Sequence, residues 1–148
     1  MNNEERFEEI ERALEDLAAK NEQRPIVVEG ERDIAALRAL GIGGRIVALH
    51  RGVSVLRLCE DLAAEGREVV ILTDWDLRGG RLAKALREGL AANGVKYDDV
   101  SRARLAVLTR GSITAVENLD SLVEKLKPRD EDGRRRIATN KRYYARRP

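Results

Sequence analysis

The sequence has few cysteine, histidine and aromatic residues. The 148 residues include one cysteine, Cys59, one histidine and only 3% aromatic side chains. A single cysteine cannot form an internal disulfide, which is typical of a reducing compartment. No apolar run is long enough to span a membrane, and the acidic N-terminus lacks the apolar core of a signal peptide. The composition therefore predicts a soluble, cytoplasmic protein with an aliphatic core and no membrane contact.

Charge is abundant but unevenly distributed. Charged residues make up 36% of the chain and the net charge is +2. Residues 1–24 carry a net charge of −4, residues 25–126 are neutral, and residues 127–148 carry +6. We expect an N-terminal amphipathic helix, one central domain and a basic tail with these bounds. The tail is either a solvated, disordered end or a contact for a polyanion.

Strand and helix patterns alternate through the central domain. The predicted strands are 25–29, 45–50, 68–73 and 104–109, and the predicted helices are 3–20, 31–40, 53–64, 79–92 and 112–126. The strand runs are continuously apolar instead of alternating with polar residues, which is typical of a parallel sheet covered on both faces. The pattern predicts an α/β fold.

Three carboxylates fall where predicted strands end. Glu29 ends the first strand, and Asp74 and Asp76 follow the third. Open α/β sheets bind ligands beyond the carboxyl ends of their strands. If the chain stays extended through Trp75, the two Asp Cα atoms lie about 6.5–7 Å apart with both side chains on one side. A divalent cation such as Mg²⁺ would relieve the repulsion between them.

Each acid also has an ordinary structural explanation. Asp76 could cap the following helix, Asp74 could be a turn residue, and Glu29 could pair with a neighbouring arginine. Their shared place at one edge of the predicted sheet favours a metal site over three unrelated structural roles.

Two motifs in this order resemble the Toprim domain. The first is VVEGERD at 27–33, and the second is VVILTDWDLRG at 69–79. This domain is shared by primases, type IA and II topoisomerases and the bacterial maturase of 5S ribosomal RNA, and small stand-alone archaeal versions are the most similar. The resemblance implies a compact three-layer fold over 25–126, with a four-stranded parallel sheet and helices on both faces.

The resemblance also implies roles for the acids. Glu29 would be the general acid or base, while Asp74 and Asp76 would hold Mg²⁺, with Mn²⁺ as a substitute. Several relatives have an acid where this chain has Gly80, so the second motif is incomplete at that position. Glu117 is either a solvated helix residue or an accessory metal ligand.

Several other residues are candidates for phosphate contacts. Glycines permit close approach, and arginines match phosphate geometry. These candidates in the body of the domain are Gly30, Arg51, Arg78, Gly79 and Arg110. The tail interleaves cations with two tyrosines, a composition that suits single-stranded nucleic acid. Its candidates are Arg134, Arg135, Arg136, Lys141, Arg142, Tyr143 and Tyr144.

The functional prediction is a Mg²⁺-dependent hydrolase of phosphodiester bonds in nucleic acid, with RNA favoured over DNA: a nuclease or an RNA-processing enzyme. One alternative is a non-catalytic nucleic-acid-binding module that works with protein partners in an RNA or repair assembly. Another is nucleotidyl transfer with the help of a partner. The intact Glu29, Asp74 and Asp76 favour the enzyme over the non-catalytic module.

Overall fold

The computed structural model describes residues 1–49 and 53–129. Within these ranges it contains six α-helices and four short strands. In chain order they are α1 (Asn3–Asn21), β1 (Ile26–Val28), α2 (Glu31–Ala39), β2 (Ile46–Ala48), α3 (Val55–Ala63), β3 (Val69–Ile71), α4 (Leu77–Ala92), β4 (Tyr97–Asp98), α5 (Val100–Leu108) and α6 (Leu119–Leu126). A 3₁₀ turn, Val116–Asn118, precedes α6.

The four strands form one parallel sheet in the order β2-β1-β3-β4. Ile26 of β1 is in register with Ile46 of β2 on one side and with Val70 of β3 on the other. β1 and β3 are therefore neighbours although more than forty residues separate them. The predicted α/β class with a four-stranded parallel sheet is confirmed.

Helices cover both faces of the sheet. On one face, Ile26, Val28, Val70 and Leu72 pack with buried residues of α1, α2, α5 and α6. On the other face, Val27, Val69 and Ile71 pack with α3 and α4. Because successive side chains of a strand point to opposite faces, a sheet covered on both sides needs apolar residues at every position. This explains the continuous apolar runs of the first three predicted strands.

The N-terminal helix α1 belongs to the main core. Ile10, Leu14 and Leu17 are fully buried against it, and each such side chain contributes about 1.5–3 kcal/mol of hydrophobic stabilisation. The helical spacing of these residues predicted this amphipathic helix, which begins at Asn3 with Asn2 as its cap. None of the helices in the described ranges is long and apolar enough to cross a membrane.

The predicted fourth strand at 104–109 is wrong. These residues lie in α5 and at its C-terminal cap, whereas the real fourth strand is the two-residue β4, Tyr97–Asp98. In α5 only every fourth residue is buried: Ser101, Leu105 and then Thr109. This is the period of a helix and not of a strand, although the run of Leu, Ala and Val looks like a buried strand.

The predicted last helix at 112–126 is too long at its start. The α-helix α6 begins only at Leu119, and Glu117 lies in the preceding 3₁₀ turn. Residues 112–115 are not helical, and two of their backbone carbonyl oxygens accept hydrogen bonds from outside the segment. The carbonyl oxygens of Ile113 and Thr114 accept hydrogen bonds from Trp75, through its indole Nε1 at 3.0 Å and its backbone N–H at 2.8 Å.

Candidate metal and nucleic-acid site

Glu29 and Asp74 meet at the carboxyl edge of the sheet. Each follows one of the adjacent strands β1 and β3, which remain paired up to the hydrogen bond from Leu72 N to Val27 O. The backbone N–H of Asp74 donates to Glu29 Oε2 at 2.8 Å. The convergence that the two motifs predicted across forty-five residues is thus present as a direct contact.

The Glu29 carboxyl is held in an unusual electrostatic environment. Its side chain is only 13% exposed, and burial together with the negative charges of Asp74 and Asp76 raises its pKa to about 7. The hydrogen bond from the Asp74 N–H opposes this rise. Arg78 Nε lies 3.9 Å from Glu29 Oε1, but its side chain is 83% exposed and offsets little of the repulsion. A carboxyl with this pKa can exchange a proton near neutral pH.

The Asp74 carboxylate is fixed by the loop before α6. Its Oδ1 accepts a hydrogen bond from the backbone N–H of Val116 at 2.9 Å. Burial raises the pKa of Asp74, and the charges of Asp76 and Glu117 raise it further, although the Val116 N–H acts in the opposite direction. Asp74 and Glu29 therefore form an acid pair in which full ionisation of both members is unfavourable.

Asp76 caps helix α4. Its Oδ1 accepts a hydrogen bond from the backbone N–H of Gly79 at 2.7 Å, so the structural alternative considered for this residue is confirmed. Capping does not remove Asp76 from the site, because its charge raises the pKa of both Glu29 and Asp74. The side chain is exposed, and Oδ1 is the only one of its two oxygens for which the described residues supply a donor.

The two glycines of the motifs have different surroundings. A Cβ on Gly79 would lie 1.8 Å from the carbonyl oxygen of Asp74, so a glycine is required here for α4 to pack against the end of β3. Thr73 strengthens this contact, since its hydroxyl donates to Gly79 O at 2.8 Å. Gly30 has nothing within 4 Å of the position of a Cβ. The backbone at Gly30 is therefore open to a close approach, and phosphate contacts of Gly30 and Gly79 both stay predictions.

Two residues near the acids were missed by sequence reasoning. Asp33 is buried and accepts a hydrogen bond from Gly30 N at 3.1 Å, and burial and the charge of Asp74 raise its pKa. Its position three residues after Gly30 is a capping-box spacing that could have identified it. Arg102 donates from Nε to Thr73 O at 3.0 Å and from Nη2 to Asp74 O at 2.7 Å. No sequence signal marks Arg102, because its partners lie about thirty residues away.

The remaining predicted site residues are placed as follows. Glu117 is exposed at the rim of the site, and its charge raises the pKa of both Asp74 and Asp33. Arg110 is exposed in the turn after α5, and none of its contacts in the described part of the chain joins it to the acids. Arg51 and the tail candidates lie outside the described residues: Arg134, Arg135, Arg136, Lys141, Arg142, Tyr143 and Tyr144.

The acids suit a hard cation that takes few protein ligands. Within residues 1–49 and 53–129, no three His, Cys, Asp or Glu side chains form a group that could hold a metal ion. Mg²⁺ needs only one or two carboxylates, because it keeps several waters and completes its shell with substrate phosphate oxygens. The raised pKa values of Glu29 and Asp74 reflect burial and mutual repulsion that a bound cation would relieve. Asp74 and Asp76 as the ligands of such a cation stay a prediction.

Comparisons with known proteins agree with the geometry. The family model described as Toprim domain matches residues 24–108. A UPF0292 protein of Methanocaldococcus jannaschii is 34% identical over 125 residues, covering 84% of this chain and 98% of the relative. A UPF0292 protein of Methanosarcina acetivorans is 39% identical over 123 residues, covering 82% and 85%. A solved structure of a protein from Aquifex aeolicus, 24% identical, has the same fold with a TM-score of 0.62 and covers 72% of this chain and 94% of its own.

Proposed function

This chain belongs to the Toprim domain family of nucleic-acid-related, metal-binding modules, and from that premise we propose that it hydrolyses phosphodiester bonds in nucleic acid with the help of Mg²⁺. RNA is the proposed substrate ahead of DNA. The strand-ending sequence from Thr73 to Gly79 supports this choice, since it resembles the motif of the 5S ribosomal RNA maturase.

The observation that carries the proposal is the position and raised pKa of the Glu29 carboxyl. Its carboxyl is partly buried, accepts a hydrogen bond from the backbone N–H of Asp74, and has its pKa raised to about 7 by partial burial and by two neighbouring acids. General acid–base catalysts work best when their pKa lies near the operating pH. A partly buried carboxyl with a raised pKa at the ligand-binding edge of an α/β sheet is typical of a functional site.

Each acid has a role in the proposed reaction. Asp74 and Asp76 would hold the cation, which when bound would polarise a phosphoryl oxygen and stabilise developing negative charge. Glu29 takes a proton from the attacking water or gives one to the leaving oxygen, as the water oxygen bonds to phosphorus and the ester bond breaks. The Asp74 N–H orients the Glu29 carboxyl for this transfer. Gly30 leaves room for the substrate backbone beside it.

A cleavage assay with a matched variant tests the proposal. Labelled single-stranded RNA and DNA are incubated with the protein in Mg²⁺ or Mn²⁺, and Glu29→Gln is expected to slow cleavage at least about 100-fold. Glu31→Gln is the control, because it removes the same charge from an exposed residue only two positions further along the chain. The proposal fails if neither polymer is cleaved with either metal, or if Glu29→Gln is as active as Glu31→Gln.

A second candidate function is a non-catalytic module that binds nucleic acid in a larger assembly. The capping role of Asp76 favours it, because Asp76 Oδ1 already accepts a hydrogen bond from the Gly79 N–H. The same assay separates the two functions. A protein that binds RNA with unchanged affinity after Glu29→Gln, and never cleaves it, is the binding module.

A further inference from the structure

Some cations in the described part of the chain are paired with acids, whereas Arg81 and Lys84 on α4 are not. Arg57 pairs with Asp61 at 3.3 Å, and Arg24 pairs with Glu68 at 2.9 Å. Arg104 likewise pairs with Asp16 at 2.6 Å. On the outer face of α4, however, Arg81 and Lys84 have no acidic partner among the described residues, and Arg78 makes only the 3.9 Å contact with Glu29. We call Arg78, Arg81 and Lys84 the α4 ridge.

The positions of the α4 ridge are electrostatically unfavourable for the helix itself. Its members follow one another at intervals of three residues, a spacing at which like charges repel on a helix surface. Arg78 and Arg81 also lie near the N-terminus of α4, where the helix dipole disfavours positive charge. Glu88 ends the run about one turn beyond Lys84. An internal ion-pair role therefore does not account for these three cations.

The ridge begins at the candidate site and leads away from it. Asp76 caps α4, and Arg78 contacts Glu29, so the first cation of the ridge stands beside the acids. From Arg78 to Lys84 the helix rises about 9 Å. Leu77, whose side chain is exposed on the same outer face, offers an apolar contact next to the first cation. A polyanion whose charge repeats along its length matches such a line of cations, whereas a compact anion would engage only one end.

We infer that the α4 ridge is the track on which a single nucleic-acid strand leaves the acid site, with Arg81 and Lys84 each neutralising one backbone phosphate beyond the phosphate held at the acids. This inference rests on the proposed function, because it takes the acid site as the place where the strand is held. It adds the path of the substrate and two binding residues, Arg81 and Lys84.

Salt dependence of binding tests the track without requiring cleavage. Each phosphate contact on a single strand contributes about 0.7 to the slope of log affinity against log salt concentration. The double variant Arg81→Gln/Lys84→Gln should therefore bind a labelled 20-nucleotide oligouridylate, in EDTA, with a slope shallower by about 1.4. Both side chains are exposed on α4 and their removal relieves repulsion between like charges, so the melting temperature should not fall.

The control removes the same two charges from the opposite edge of the sheet. Arg67 and Lys96 are exposed, precede β3 and β4, and lack an acidic partner within the described residues. The variant Arg67→Gln/Lys96→Gln should keep the wild-type slope. The inference is overturned if the two double variants have equal slopes, or if the wild-type protein does not bind the oligonucleotide. If the slopes differ as expected but wild-type protein with Mg²⁺ cleaves nothing, the track stands and the proposed hydrolysis fails.

Discussion

At the end of β1 the chain is open, whereas at the end of β3 it is held on three sides. Gly30, after β1, has free space above it. Asp74, after β3, accepts a hydrogen bond from the Val116 N–H through its carboxylate and another from Arg102 through its carbonyl oxygen. Gly79 packs closely against the backbone of Asp74. Both ends carry an acid of the candidate site. We expect the β3 end to supply fixed geometry and the β1 end to supply access.

The largest effect should come from Gly79→Ala. The new Cβ would lie 1.8 Å from the Asp74 carbonyl oxygen and 2.4 Å from its carbonyl carbon, so the backbone itself would have to shift. We expect a loss of more than about 3 kcal/mol in the free energy of unfolding, measured by urea denaturation. Gly80→Ala is the control, because its Cβ would meet only Arg102 Nη2 at 3.9 Å. Equal stability of the two variants would show that the β3 end is not tightly packed.

The next effect should come from Arg102→Met. Arg102 supplies hydrogen bonds from a charged group to two carbonyl oxygens at the end of β3, and its loss leaves both oxygens without this donor. We expect destabilisation by about 2–3 kcal/mol. Arg104→Met on the same helix removes only partly exposed ion pairs and should cost less than about 1 kcal/mol. A similar cost for both variants would contradict the anchoring role of Arg102.

The third effect has the opposite sign and depends on pH. The Glu29 pKa is raised from 4.5 to about 7 in the folded state, so ionisation lowers the stability of the protein as pH rises between these values. Without divalent cations, Glu29→Gln should therefore stabilise the protein by about 2 kcal/mol at pH 8 and have little effect at pH 4. Thermal melts across this range measure the difference. A Glu29→Gln effect that does not change with pH would contradict the raised pKa.

Sequence patterns predicted the acid pair because it depends on strand order and strand ends. Glu29 and Asp74 follow apolar runs that were predicted as parallel strands, and neighbouring parallel strands bring their carboxyl ends to the same edge of the sheet. The fourth strand was not predictable in this way. Tyr97 and Asp98 form a strand that is too short and too polar to recognise, and the apolar run around Leu105 fits a helix equally well.

The anchoring of the site was also beyond the sequence. The hydrogen bonds of Arg102 and Val116 to Asp74 join positions 28 and 42 residues apart, and they exist only because α5 and the 3₁₀ turn dock beside β3. Arg and Val carry no local signature for such contacts. Local patterns therefore identified the acids but not the groups that hold them in place.

The smallest effect on stability, and the sharpest test of access, should come from Gly30→Ala. Gly30 has an extended backbone with φ −156°, which any residue adopts, and its Cβ would meet nothing within 4 Å. Because Gly30 is the N-cap of α2, we expect Gly30→Ala to lower the free energy of unfolding by less than about 1 kcal/mol. If a substrate phosphate passes over Gly30, the added methyl group should nevertheless weaken RNA binding and slow cleavage at least about tenfold, a loss of about 1.4 kcal/mol in transition-state binding. A variant that folds, binds and cleaves like the wild type would place the substrate elsewhere, because the open space at the end of β1 would then be structural and not a path for the phosphate.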